Sequence, residues 1–277
     1  MAAHCHHFGK SSYAAKSSLK YRPPKVGYNT FTEVQSSTTE SMYNLMAVPF
    51  MKVGSDKGFM LSDFNFPNQI CNGRYNQADQ LLLWVWKEDE QQMNYENWYK
   101  ASKTGAWKLI GDTVATFEGK HPQGLEAGTV FWYKSYKKSA LDTFTCSGEV
   151  LEDAHKTVTV LRDSYNFVSY PYPVAFDITD ENQVNWGDQI CNGRYNQADQ
   201  VLIWAKQEDG SYNYENWYKA SKTGAWKLIG DTDATFALKH PNGLPAGSGF
   251  WFKAYKKAGV TSNDITFYSP INSDKND

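Results

Sequence analysis

Residues 94–113 read NYENWYKASKTGAWKLIGDT, and the same letters recur without a change at residues 213–232. A second segment, QICNGRYNQADQ, occupies residues 69–80 and recurs unchanged at residues 189–200. Both pairs are separated by nearly the same length of chain, so one unit is present twice. Because these segments retain identity while their flanks differ, we interpret them as a shared functional surface.

Looser matches around these segments set the limits of the repeat. Residues 43–50, YNLMAVPF, correspond to residues 165–172, YNFVSYPY. The sequence therefore predicts an N-terminal arm over residues 1–27, a first copy over residues 28–150 and a second copy over residues 151–277.

The apolar pattern inside each copy has a period of two, which predicts strands. Residues 81–86, LLLWVW, are apolar on both faces, which is typical of a central strand covered on both sides. The turn Lys103-Thr104-Gly105 joins two aromatic runs and predicts a hairpin. No long amphipathic helix is visible. We predict an all-β chain with two tandem homologous antiparallel β-sandwich or barrel-like domains and an extended N-terminal arm.

Composition excludes several classes of partner. The net charge of −2, from 28 basic and 30 acidic residues, does not suit a nucleic-acid-binding protein. No apolar run is long enough to cross a membrane, so membrane insertion is not expected. Residues 1–16 lack the apolar centre of a signal peptide, which leaves either a chain not exported by that route or a processed mature form. The four cysteines, Cys5, Cys71, Cys146 and Cys191, show no metal-site spacing, and their disulfide state stays open.

The sequence shows no motif for catalysis, and we predict no catalytic residue, no metal site and no cofactor. The acidic pair Asp79 and Glu96, which recurs in the second copy, could suggest glycoside hydrolysis. We interpret these acids as turn formers and polar groups at strand edges. His121, which also recurs, is interpreted as a structural or solvent-exposed side chain.

Aromatic residues make up 16% of the chain, which is more than a core of this size is expected to bury. We expect some of them to form exposed stripes on the hairpin and on the FWYK and FWFK strands. Three alternatives stay open: burial in the core, an interface with another subunit, and a platform for sugar rings. The candidate partner- or glycan-binding residues are Trp98, Tyr99, Trp107, Trp132, Tyr136, Trp217, Tyr218, Trp226, Trp251 and Tyr255.

The order of motifs resembles the tandem β-modules of poorly characterised exported proteins found in verrucomicrobial-type bacteria. The resemblance rests on ADQLLLW at residues 78–84, on the Tyr/Trp-rich hairpin, on GLEAG at residues 124–128 and on FWYK at residues 131–134, each with a close match in the second copy. It implies an exported protein without an established enzymatic role.

These observations predict a non-enzymatic extracellular or cell-surface structural protein. We expect it to assemble with copies of itself, as a filament or surface-layer subunit, through exposed aromatic strand faces and the N-terminal arm. The alternative is a carbohydrate-binding module or lectin with two equivalent aromatic sites.

Overall fold

The computed structural model describes residues 26–34, 37, 39–64, 73–112, 114–137, 142–231 and 233–270. Its regular structure is nearly all β, which confirms the predicted fold class. The two α-helices are only four residues long, α1 (Phe117–Lys120) and α2 (Phe236–Lys239), and a 3-10 helix covers Tyr75–Gln77. The strands are β1 (Val26–Val34), β2 (Met42–Ala47), β3 (Gln80–Lys87), β4 (Gln92–Lys100), β5 (Trp107–Leu109), β6 (Val130–Ser135), β7 (Asp142–Glu149), β8 (His155–Leu161), β9 (Ser164–Ser169), β10 (Val184–Asn185), β11 (Gln200–Lys206), β12 (Tyr212–Lys219), β13 (Trp226–Leu228), β14 (Gly249–Ala254) and β15 (Ser262–Tyr268).

The two copies form sheets with the same strand order. The first copy has a five-stranded sheet in the order β2-β6-β3-β4-β5, and the second has β9-β14-β11-β12-β13. A smaller sheet accompanies each: β1 pairs with β7, and β15 lies between β8 and β10. All of these strand pairs are antiparallel. β1 begins at Val26, inside the predicted arm, and the rest of that arm lies outside the described residues.

Each copy encloses its own apolar core between its large and its small sheet, which is the arrangement of a β-sandwich. In the first core, Trp98 of β4 and Phe131 of β6 lie in one cluster with Cys146 of β7. In the second, Trp217 of β12 lies in one cluster with Phe267 of β15. Both tryptophans have no exposed surface, and burial of a large apolar side chain stabilises the fold by about 2–3 kcal/mol.

The opposite faces of the two large sheets pack against each other. The Trp84 ring meets the Trp251 ring at a centroid distance of 5.4 Å and an angle of 84°. The Trp132 and Trp204 rings meet at 5.5 Å and 86°. Trp84 and Trp204 are equivalent in the repeat, as are Trp132 and Trp251, so the contact follows a pseudo-two-fold axis. This contact explains why the LLLWVW strand is apolar on both faces.

Hydrogen bonds reinforce the same contact. The Trp204 indole N–H donates to the carbonyl oxygen of Tyr43 in the other copy, at 3.0 Å. The backbone N–H of Ala47 donates to the carbonyl oxygen of Gly247 at 2.7 Å. At the far end of β3 the packing stops, and Trp86 is 47% exposed. The two sandwiches therefore stack as four layers, with the large sheets inside.

Candidate functional site

The predicted hairpin tryptophans Trp98 and Trp217 lie in the cores with no exposed surface, so the expectation that they are exposed is wrong. Side chains alternate along a strand, and the inward face of β4 also carries Glu96, two residues before Trp98. The Trp98 indole N–H donates to Glu96 Oε2 at 3.4 Å, and Trp217 donates to Glu215 Oε2 at 3.3 Å. A polar partner inside the sandwich thus allows each indole to be buried.

Trp132 and Trp251 are 6% and 7% exposed, so the predicted exposure is also wrong for these two side chains. Sequence alternation assigns both side chains to the outer face of their sheet, but this face is covered by the other copy. The remaining candidates differ in accessibility. Tyr255 is exposed, Tyr99, Trp107, Tyr136 and Tyr218 are half-buried, and Trp226 is buried.

A histidine holds a glutamate carboxylate in each copy; Glu96 is buried and Glu215 is half-buried. His121 Nε2 lies 2.7 Å from Glu96 Oε2, and Lys87 Nζ lies 3.0 Å from Glu96 Oε1. Burial raises the pKa of Glu96, but the bonds with His121 and Lys87 outweigh it and bring the pKa down to about 2. In the second copy, His240 Nε2 lies 2.9 Å from Glu215 Oε2. These ionised carboxylates suit structural clamps better than proton donors, which need raised pKa values.

The other acid of each predicted pair, Asp79 or Asp199, lies directly before β3 or β11 and is fully buried, so it is not an exposed polar group at a strand edge. Asp79 accepts a hydrogen bond from the Tyr133 hydroxyl at 2.6 Å. The second copy has Phe252 at the position of Tyr133, and Arg162 replaces the hydroxyl as the donor to Asp199. The Arg162 guanidinium makes two bonds of 2.8 Å to the two carboxylate oxygens. The two copies therefore satisfy one buried carboxylate in two different ways.

An open cleft of about 810 Å³ lies in the second copy, beside the short edge strand β13. Its aromatic lining includes Trp186, Trp226 and Phe236. Its polar lining includes Glu181 and Lys219. This volume is in the range of small-molecule sites, which combine an apolar lining with a few polar groups.

Trp226 connects the core to this cleft. Its ring meets Trp186 edge-on at 5.0 Å, and the Lys219 ammonium lies 5.4 Å from its ring centroid. Trp186 donates its indole N–H to the Ile178 carbonyl oxygen at 3.0 Å, whereas the buried Nε1 of Trp226 has no hydrogen-bond partner. Burial lowers the pKa of Lys219, while the charge of Glu181 acts in the opposite direction.

Of the residues that line the cleft, only Trp226 is among the binding residues predicted from the sequence. Trp186 and Glu181 were missed because they fall outside the segments that are identical in the two copies. Trp186 could have been identified by comparing the two copies, because the first copy has Phe66 at the equivalent position.

Cys146 and Cys191 are free thiols, and burial raises the pKa of Cys146 to about 12. Cys5 and Cys71 lie outside the described residues. Within the described ranges, no three His, Cys, Asp or Glu side chains are grouped as metal ligands would be. Neither of the short helices in this part of the chain has the length or apolarity to cross a membrane.

Comparison with protein-family models, with curated proteins and with solved structures gives no match for this chain. The resemblance to exported tandem β-modules therefore stays a prediction. The chain forms a stack of two β-sandwiches, and the cleft beside Trp226 is its candidate binding site.

Proposed function

We propose that this chain is a non-enzymatic carbohydrate-binding protein and that the glycan occupies the cleft beside Trp226. The observation that carries the proposal is the combination of aromatic and polar side chains around one open cavity of about 810 Å³. Sugar rings have apolar C–H faces and a rim of hydroxyl groups, so they need both kinds of surface in one site.

The polar lining supports this ligand class. Lys219 supplies hydrogen-bond donors, Glu181 supplies acceptors, and the side chain of Asn185 supplies both. The indole N–H of Trp226 is a further donor without a partner. Because a buried donor without a partner costs about 1–3 kcal/mol, a small rearrangement that gives Trp226 a ligand oxygen would favour binding.

The absence of an enzymatic role is part of the proposal. It is supported by the partners of the two acids of the second copy, each of which is bonded to a basic side chain. Asp199 is neutralised by Arg162, and Glu215 is bonded to His240. The pKa of Glu215 is lowered, because the bond with His240 outweighs the effect of burial. A carboxylate with a lowered pKa, such as Glu215, does not suit the role of the general acid in glycoside hydrolysis, which needs a raised pKa.

A glycan array followed by titration calorimetry tests the function. We expect the full chain to bind one class of glycan and the Lys219→Met variant to bind it about 10-fold more weakly or worse, since a hydrogen bond to a charged group contributes roughly 1.5–3 kcal/mol. An unchanged thermal midpoint would show that the variant is folded. The proposal fails if no glycan binds, or if Lys219→Met binds as tightly as the parent chain.

Self-assembly at the cell surface, which the sequence predicts, stays a prediction. Trp132 and Trp251, which were predicted to mediate it, are buried between the two copies of one chain, and residues 1–25 of the arm lie outside the described residues. The extracellular location expected from the resemblance is retained in the proposal, because a glycan-binding protein meets polysaccharides there.

A further inference from the structure

We propose that the chain has a single glycan site, present only in the second copy, and that Glu181 selects an uncharged glycan by accepting hydrogen bonds from its hydroxyl groups. This inference rests on the proposed carbohydrate-binding function. It adds the number of sites, the charge of the ligand and the residue that determines both.

The second copy is longer than the first where the cleft is built. Phe176 and Gly193 form the same isolated backbone bridges as Phe59 and Gly73 of the first copy. The segment from Phe176 to Gly193 is nevertheless three residues longer than the segment from Phe59 to Gly73. The matching sequence on either side places the extra residues at 181–183, and the first copy thus has no counterpart of Glu181.

The inserted residues are fixed to the sandwich by Gln183. Its side-chain oxygen accepts from the backbone N–H of Asp177 at 2.7 Å, and its side-chain nitrogen donates to the Ala175 carbonyl oxygen at 3.0 Å. Its own carbonyl oxygen accepts from the backbone N–H of Tyr268 at 2.9 Å. Glu181 is exposed and lines the cleft, and its backbone belongs to this braced turn.

The charges in the cleft favour an uncharged ligand with hydroxyl groups. Glu181 and Lys219 interact electrostatically but do not form an ion pair with each other among the described contacts. Lys227, the other charged side chain of the lining, already interacts with another group of the chain. A sugar hydroxyl can donate to the carboxylate and accept from the ammonium, whereas Glu181 would oppose the attraction of an anionic ligand to the lysines and Lys219 would repel a cationic ligand.

The lysine–tryptophan pair alone does not mark the site, because both copies have it. Lys100 Nζ lies 5.6 Å from the Trp107 ring centroid, close to the 5.4 Å between Lys219 and Trp226. The copies differ in the inserted acid Glu181 and at Trp186, where the first copy has Phe66. The two copies therefore offer matched variants for separating a common structural feature from the binding site.

The experiment is titration calorimetry of the full chain with an uncharged oligosaccharide identified on the array. We expect one ligand per chain and a loss of affinity of about 10-fold in Glu181→Gln, in line with the contribution of hydrogen bonds to charged groups. Two control variants in the first copy, Lys100→Met and Glu118→Gln, should bind the oligosaccharide within about 2-fold of the parent affinity. Position 118 is equivalent to position 237 of the second copy, where Ala237 lines the cleft. Glu181 and Glu118 are exposed, so these variants should fold.

Each other outcome is informative. Two ligands per chain, or equal losses in Lys100→Met and Lys219→Met, would overturn the single site and leave carbohydrate binding intact. Tight binding of a uronic-acid oligosaccharide that is unaffected in Glu181→Gln would overturn the charge selection. Failure of every glycan to bind would overturn the proposed function itself.

Discussion

Replacing Arg162 with Met should destabilise the second copy strongly, and Phe252→Tyr should partly rescue that variant. Arg162 and Asp199 have side-chain exposures of 2% and 0%, and two bonds of 2.8 Å join them. Removing the cation leaves a buried carboxylate without its counter-charge, which costs about 3–5 kcal/mol. A tyrosine at position 252 would restore the arrangement of the first copy, where the Tyr133 hydroxyl donates to Asp79, and regain about 1.5–3 kcal/mol.

The assay is urea unfolding of the parent chain, both single variants and the double variant. Phe252→Tyr alone should destabilise by about 1–3 kcal/mol, because its hydroxyl group would meet the guanidinium in a filled core. The same substitution should therefore stabilise the Arg162→Met background and destabilise the parent background. A loss below about 1 kcal/mol in Arg162→Met, or an equal effect of Phe252→Tyr in both backgrounds, would refute the reasoning.

Two further predictions concern the acid clamp and the contact between the copies. The pKa of Glu96 is about 2 in the folded protein against 4.5 ordinarily, so its stabilisation is fully present above pH 4.5 and is lost as the pH falls towards 2. The free energy of unfolding should fall by about 3 kcal/mol over this range. Measured by urea unfolding at several pH values, the free energy of unfolding of Glu96→Gln should change less with pH than that of the parent chain. Parallel pH dependences of the two proteins would contradict the clamp. Trp251→Ala should cost about 3–5 kcal/mol through the cavity left against Trp84, whereas Trp86→Ala at an exposed position should cost less than about 1 kcal/mol. Scanning calorimetry checks this prediction, and equal effects of the two substitutions would exclude a packed contact.

Much of the fold follows from local patterns in the sequence. The run of apolar residues at positions 81–86 correctly predicts a central strand, because β3 lies in the middle of its sheet and both of its faces are covered. The Gly105 turn correctly predicts the β4–β5 hairpin, since Gly105 has a φ of 63° that favours glycine. The end of this strand reaches solvent in both copies, since Trp86 and its counterpart Lys206 are exposed.

The candidate site was harder to predict, because alternation assigns a side chain to a face but does not say what covers that face. Trp132 lies on the face expected for it, yet the covering surface comes from residues far away in the chain. Identity between the copies does not separate buried positions from exposed ones, since Trp98 and Asp79 recur and are fully buried. The cleft combines Lys219 and Trp226, from a segment identical in the two copies, with Trp186 and Glu181, where the copies differ.

The pseudo-two-fold contact has a consequence for how this chain responds to dilution. Two separate sandwiches with such a surface would dissociate as their concentration fell, but a short covalent connection keeps the partners at an effective concentration of roughly millimolar or higher. Rupture of the Trp84–Trp251 and Trp132–Trp204 contacts is therefore a unimolecular opening, and its midpoint should not depend on protein concentration. Tethering also frees each copy from the requirement to remain identical to its partner, so Glu181 can be present in one copy and absent from the other.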